Sequence, residues 1–305
     1  MGKEIIEMKI GLIGLGKMGS NLALNLRDHG EHVIGFDVSE ESRKQMEAEK
    51  IETVTSLEEL LSKTETPRVM WLMLPSGKPT EETIQYFSDN LNSGDILIDA
   101  GNSRYTESLK HAELLNEKGI KFLDCGTSGG TSGARNGACM MIGGDKEAFD
   151  YLESTFKNVA IEEGLIYTGR AGSGHFMKMV HNGIEYGMME AIGEGFQLMK
   201  ESGFDYDLAA VANNWRHGSV IRSWLMDIVY DQLTKSHNLE DIIGEVDTNG
   251  EAKWTVEAAL EKEVPTPVIA LALMARNASK DHEKFSCKVV AAMRNGFGGH
   301  SVKKK

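Results

Sequence analysis

At 305 residues the chain is twice the roughly 150 residues of an ordinary domain, so one large domain or two ordinary ones are expected. Its 41% hydrophobic and 26% charged residues supply a core and exclude disorder or a collagen-like structure for the bulk of the chain. Thirty-three Lys and Arg against 46 Asp and Glu leave a formal charge of −13, which repels phosphate backbones and anionic lipid, so neither nucleic acid nor a membrane is an expected partner.

Met1-Gly2-Lys3-Glu4 lacks the basic, apolar and small-residue succession of a signal peptide, and no apolar run approaches the roughly 20 residues of a membrane span. A soluble, cytoplasmic protein is expected. Cys125, Cys139 and Cys287 have no CxxC spacing, so no zinc site, other metal site or disulfide framework is expected, and a reducing compartment fits. Lys303-Lys304-Lys305 reads as a frayed, solvated end, with an anion contact as the alternative.

In chain order, an apolar strand over 8–14 leads through a glycine motif into a helix carrying Leu22, Leu24 and Leu26. Further strands are expected over 32–37, 68–74, 96–99 and 121–124, separated by helical segments such as 80–91 and 104–118. This alternation predicts an α/β fold, a doubly wound, mainly parallel Rossmann-type sheet. Beyond about residue 170 the pattern becomes all-α, with a long helix over 174–201 and helices near 205–214, 219–233 and 267–282. Residues 234–252, with Thr248-Asn249-Gly250, read as a polar loop, and Val264-Pro265-Thr266-Pro267 as a stop followed by a helix start. The expected domains are 1–170 for dinucleotide binding and 171–305 for substrate binding and oligomerisation. No repeat or low-complexity tract is present.

Gly14-Leu15-Gly16-Lys17-Met18-Gly19 sits where a dinucleotide fingerprint belongs, after a strand and at a helix start. Its first glycine permits the turn, its second lets backbone approach a pyrophosphate, and its third allows close helix packing. Asp37, 18 residues beyond Gly19, can accept hydrogen bonds from a ribose 2′-hydroxyl and would repel a 2′-phosphate, which favours NAD over NADP; a helix cap is the alternative.

Lys178, His181, Asn182 and Glu185 fall at i, i+3, i+4 and i+7, one stripe on a helix, flanked by Tyr186. A solvated face is the plain explanation. The chemical one is that a dehydrogenase needs a base for an alcohol proton, which a lysine with a burial-lowered pKa can be, with Glu185 as proton donor. Gly172, Gly174, Gly183 and Gly187 are unusually frequent for a helix and point to something needing close access. Gly126-Thr127-Ser128-Gly129-Gly130-Thr131-Ser132-Gly133 reads as a loop whose N–H groups suit oxygen ligands, or as a flexible linker; Asp99-Ala100-Gly101-Asn102-Ser103 also lies at a strand end.

At these residues the chain resembles the 6-phosphogluconate dehydrogenases of the β-hydroxyacid dehydrogenase superfamily. The carriers are Gly172-Ser173-Gly174-His175-Phe176, the run Lys178-Met179-Val180-His181-Asn182-Gly183-Ile184-Glu185-Tyr186-Gly187, Asp99 to Ser103, and Ser128-Gly129-Gly130. The resemblance implies metal-free oxidative decarboxylation of 6-phospho-D-gluconate in the pentose phosphate pathway. Lys178 would be the acid/base at the 3-hydroxyl, and Glu185 the proton donor to the enediol. It implies substrate contacts from Asn102, Ser128, Gly129, Gly130, His181, Asn182, Tyr186 and Lys253, and phosphate contacts from Arg276, Arg294 and His300. The last two would come from a neighbouring subunit of a homodimer or homotetramer; helix capping or a surface pair is the other reading of a terminal arginine. Leu74, Pro75, Ser76 and Asn102 would join the glycine motif and Asp37 around the cofactor.

Three departures stand out. The family commonly has Gly-Thr-Gly-Lys where this chain has Gly250-Glu251-Ala252-Lys253, many members run far longer, with a second copy of the helical domain, and the common NADP-dependent members carry polar and arginine residues where this chain has Asp37. Two other functions remain open: a non-decarboxylating dehydrogenase of a small unphosphorylated 3-hydroxy acid, and a catalytically silent NAD sensor.

Overall fold

The computed structural model describes residues 8–248 and 250–304, and the expectations for Met1-Gly2-Lys3-Glu4, Asn249 and Lys305 lie outside them. The chain divides into two compact units, the first ending at His181 and the second beginning at Asn182.

In the first unit strands and helices alternate: β1 (Lys9–Ile13), α1 (Lys17–Asp28), β2 (His32–Phe36), α2 (Glu40–Ala48), β3 (Glu52–Val54), α3 (Leu57–Lys63), β4 (Val69–Leu72) and α4 (Lys78–Asn90). The series continues with β5 (Ile96–Asp99), α5 (Tyr105–Asn116), β6 (Lys121–Ser128), α6 (Gly130–Asn136), β7 (Ala138–Gly144), α7 (Lys146–Val159) and β8 (Ala160–Gly169). A 28-residue helix, α8 (Ser173–Lys200), then runs on into the second unit.

The eight strands form one sheet in the order β3-β2-β1-β4-β5-β6-β7-β8. Its pairs are parallel except that β7 opposes β6. The order reverses between β1 and β4, so a crevice opens beyond the carboxyl ends of these strands, where doubly wound sheets take ligands.

Why these residues form such a sheet is visible in their alternation. Ile10, Leu12, Val69, Trp71, Ile96 and Ile98 face α1 and α7 through Leu22, Leu26, Phe149 and Phe156. Ile13, Met70, Leu72 and Leu97 face α3, α4 and α5 through Leu60, Ile84, Phe87 and Leu115. Strands buried on both faces read as unbroken apolar runs, and each fully buried large side chain contributes about 1.5–3 kcal/mol against the entropy of ordering.

The second unit holds the rest of α8 with α9 (Leu208–Trp215), α10 (Trp224–Lys235), α11 (Glu251–Glu261), α12 (Pro267–Ser279) and α13 (Phe285–Gly298). Its cores are small: Ala209, Ala212, Met226 and Leu233 in one, Tyr186, Ala252, Ala272 and Leu273 in the other. α13 buries no residue, and Phe285, Val289, Met293 and Phe297 stand exposed at four-residue spacing along it. No helix among the described residues is long and apolar enough to cross a membrane.

The expected fold class is present, with local differences. Residues 126–133 are not a loop: β6 continues through Ser128, and α6 starts at Gly130. The 234–252 loop is shorter than expected, because α10 reaches Lys235 and α11 opens at Glu251.

Candidate active site

The three glycines of the fingerprint do different work. Gly14 has φ +97°, and a Cβ there would lie 2.5 Å from the Met73 carbonyl oxygen; a Cβ on Gly19 would overlap the Gly14 carbonyl. Both are required by the protein's own packing. Gly16 opens α1 with nothing within 4 Å of a Cβ position. α1 also has no side-chain cap and no acidic residue in its first turn, so no side chain of its own cap or first turn competes for its N–H groups. That combination fits a dinucleotide pyrophosphate. Leu15 is buried beside it, Lys17 is exposed and Met18 half-buried.

Asp37 ties this loop to the end of β2. Its Oδ2 accepts from the Leu15 N–H at 2.7 Å, its Oδ1 from the Ser39 N–H at 2.8 Å, and Arg43 donates to its carbonyl at 2.6 Å. Asp37 is not the cap of α2; Ser39 is, its Oγ accepting from the Ser42 N–H. Beyond β4, Leu74 is half-buried and Pro75 and Ser76 are exposed, the Pro75 carbonyl accepting from Thr80 Oγ1 at 2.8 Å. Asn102 is exposed beyond β5, where the buried Asp99 accepts the Gly101 N–H at 3.1 Å and shapes the segment.

The start of α8 is clamped to the sheet. Asp124, fully buried on β6, accepts from the Gly172 N–H and the His175 N–H, both at 2.7 Å. A Cβ on Gly174 would lie 2.5 Å from the carbonyl oxygens of Asp124 and Met141, and one on Gly126 would overlap the Lys178 Cβ. His175 Nδ1 and Ser108 Oγ share a hydrogen bond of 2.7 Å from the α5 side. One turn on, Lys178 is 8% exposed, and His181 Nε2 lies 3.1 Å from Ser128 Oγ. Gly129 and Gly130 follow Ser128 with φ of +118° and +58°, conformations open to glycine.

Around this clamp burial sets the titrations. It pushes the Cys125 thiol up to about 12 and holds His111 below its ordinary 6.5, outweighing the opposite pull of Asp99. Asp124, His175 and Ser108 are not among the expected site residues. The signal for Asp124 was there, a carboxylate inside the apolar run Phe122-Leu123-Asp124-Cys125.

In the second unit Asn182 is 9% exposed, Tyr186 buried and Glu185 half-buried; the exposed side of α8 there carries Ile184 and Met188. The polar stripe is therefore not a solvated face. Nor do Gly183 and Gly187 leave open space: Gly183 meets Thr255 of α11 and Ile269 of α12, and Gly187 meets Val268. Arg276 lies 3.4 Å over the Tyr186 ring and donates to the Asp247 carbonyl at 3.2 Å. Lys253 is exposed on α11, with its Nζ 3.7 Å from Glu257. Arg294 and His300 are exposed, and neither forms an ion pair among the described residues.

Comparison with known proteins places this geometry. Residues 9–169 match the model for the NAD binding domain of 6-phosphogluconate dehydrogenase, and residues 174–305 match that for its C-terminal domain. The chain is 49% identical over 298 residues to Bacillus subtilis YqeC, a provisionally assigned 6-phosphogluconate dehydrogenase, covering 98% of this chain and all of that one. It is 38% identical to the NAD(+)-dependent, decarboxylating 6-phosphogluconate dehydrogenase of Haloferax volcanii, over 98% of this chain and 99% of the relative. Among solved structures, the Plasmodium falciparum 6-phosphogluconate dehydrogenase, studied with NADP+ and with 6-phosphogluconate, matches at TM-score 0.83 and 32% identity, over 97% of this chain but 66% of that one. The chain belongs to the 6-phosphogluconate dehydrogenase family.

Proposed function

We propose that the protein is an NAD-preferring 6-phosphogluconate dehydrogenase that oxidises 6-phospho-D-gluconate at C3 and decarboxylates the 3-keto acid to D-ribulose 5-phosphate and carbon dioxide, a step of pentose phosphate metabolism. The observation that carries this is Lys178, a buried amine one turn beyond a helix start held by both oxygens of Asp124. A lysine is costly to bury, and such a position suits a group that exchanges a proton with substrate.

Lys178 takes the 3-hydroxyl proton as C3 is oxidised. A bound nicotinamide supplies the two-electron oxidation. Lys178, now an ammonium, hydrogen-bonds the C3 oxygen while the carboxylate leaves as carbon dioxide, stabilising the enolate charge. Glu185, seven residues on and about 10.5 Å further along the same helix, gives a proton to substrate C2, which becomes C1 of ribulose 5-phosphate. Asn102, Ser128, Gly129, Gly130, His181, Asn182 and Tyr186 orient the acid and its hydroxyls, with the Ser128–His181 bond supporting that grouping.

Arg276, oriented by Tyr186 and Asp247, takes the phosphate as a planar, two-pronged donor. Arg294 and His300 join it from a second copy, and Lys253, turned outward, plays a lesser part. The unburied, apolar stripe of α13 supports a homodimer or homotetramer in which another subunit covers it. Asp37 supports NAD, since its carboxylate stands beside the glycine loop where a 2′-phosphate would be repelled.

The test is the yield of carbon dioxide and reduced coenzyme from 6-phosphogluconate with the wild type and Lys178→Ala. One of each per turnover is expected, with turnover in the variant lowered at least about 100-fold. Undiminished turnover overturns the lysine assignment. Oxidation without carbon dioxide, or equal use of unphosphorylated 3-hydroxy acids, overturns the substrate, and a kcat/KM advantage for NADP overturns the Asp37 argument.

A further inference from the structure

Three side chains of α5 meet the start of α8, and they do so in different ways. Tyr105 and Phe176 pack edge to face with ring centroids 5.0 Å apart, and Leu109 stands against Gly172, where a Cβ would come within 3.1 Å of its Cδ2. Between these apolar contacts lies the 2.7 Å hydrogen bond of Ser108 Oγ and His175 Nδ1. Ser108 is fully buried and His175 is 2% exposed. Apolar contact holds two helices together over a range of offsets, whereas a hydrogen bond weakens steeply as its atoms leave their line. An apolar pair of the same shape would serve stability about as well, so what the buried polar pair adds is the selection of one offset.

The other grips on this turn come from the sheet. Asp124 takes the N–H groups of Gly172 and His175, Gly174 rests on the backbone of β6 and β7, and the Lys178 Cβ lies against Gly126. These contacts set how closely α8 approaches β6. The Ser108–His175 bond acts from the α5 side, three residues before Lys178, a spacing that puts the His175 and Lys178 side chains on one face of the helix. A lateral shift of this first turn is therefore passed on to the Lys178 amine.

We propose that His175, held by Ser108, is a positioning residue: their hydrogen bond locks the first turn of α8 against α5 and so aims Lys178 at the reacting carbon. This rests on the reaction proposed above, with Lys178 as its acid and base.

Ser108→Ala removes the hydroxyl and leaves the flanking apolar contacts in place. The expected result is a kcat for 6-phosphogluconate lowered about tenfold or more, given that a displacement of about 1 Å costs roughly 100-fold. KM and the Kd for NAD should stay within twofold. His175→Leu should match it, and the double variant Ser108→Ala/His175→Leu should fall no more than twofold below the lower of the two, because both changes remove the same bond. His175→Asn, whose amide can reach the place of Nδ1, should restore kcat to within about threefold of the wild type. A lowered melting temperature with unchanged kcat in Ser108→Ala makes the pair structural and overturns the proposal. So do losses of kcat that multiply in the double variant, or a folded His175→Asn as slow as His175→Leu. Where a His175 variant fails to fold, the kcat of Ser108→Ala decides. No turnover of 6-phosphogluconate by the wild type refutes the reaction itself and this proposal with it; wild-type turnover that Ser108→Ala leaves unaltered refutes this proposal alone.

Discussion

Gly174→Ala probes how finely the start of α8 is set. The added methyl would lie 2.5 Å from two carbonyl oxygens, those of Asp124 on β6 and Met141 on β7, and 2.9 Å from the Gly143 nitrogen. Ordinary contact begins near 3.4 Å, so the first turn of α8 must lift by about 0.9 Å, since strand backbone on both sides cannot swing aside as a side chain can. Alanine favours the helix by about 1 kcal/mol, and overpacking opposes it by about 1–3 kcal/mol, so the net loss of stability is small. The functional loss is larger: Lys178 lies one turn on, and a displacement of about 1 Å costs roughly 100-fold in rate. The assay is steady-state turnover of 6-phosphogluconate with the Kd for NAD and the melting temperature measured alongside. Gly193→Ala is the control, on the same helix but with nothing within 4 Å of the new methyl. It should gain up to about 1 kcal/mol of stability and keep full activity. Equal kcat in the two variants would refute the argument.

Gly16→Ala should leave the melting temperature of the coenzyme-free protein unchanged, since its methyl meets no atom within 4 Å, while raising the Kd for NAD at least about tenfold; calorimetric titration showing an unaltered Kd contradicts the assignment of that space. His111, held neutral by burial, contributes a pH dependence of known sign. Its stabilising contribution is full above the unfolded value near 6.5 and is lost as pH falls below it, because the unfolded chain takes a proton that the native chain refuses. Urea midpoints at pH 7.5 and 5.5 should therefore draw closer together in His111→Gln; an unchanged difference removes His111 as the cause.

The sheet was legible where burial is two-sided. Ile10, Leu12, Val69 to Leu72 and Ile96 to Ile98 have no polar face to confuse the pattern, so their runs stand out. β8 is an edge strand in which Ile161, Glu162 and Glu163 are exposed, and β3 is three residues long, so neither presents such a run. α13 escaped notice because it buries nothing in its own chain and so has no stripe facing a core. In the site, the Lys178 to Glu185 spacing was readable because helical period is a property of local sequence. The Asp124 clamp was not, since it joins residues 48 and 51 positions apart through backbone N–H groups that every residue carries. The α8 glycines drew attention for a reason that proved different: Gly174 admits strand backbone, and Gly183 admits α11 and α12.

The placement of the three thiols gives the protein a built-in pair of probes. Cys125 is sealed in the core and its thiol is pushed up to about 12, so alkylating dyes will pass it by, whereas Cys139 on β7 and Cys287 on α13 face solvent. One reactive handle in each unit allows donor and acceptor fluorophores to be attached without any engineered cysteine. The rate of modification at Cys287, set against Cys139 as an internal clock, will measure how completely α13 is sheltered as protein concentration rises.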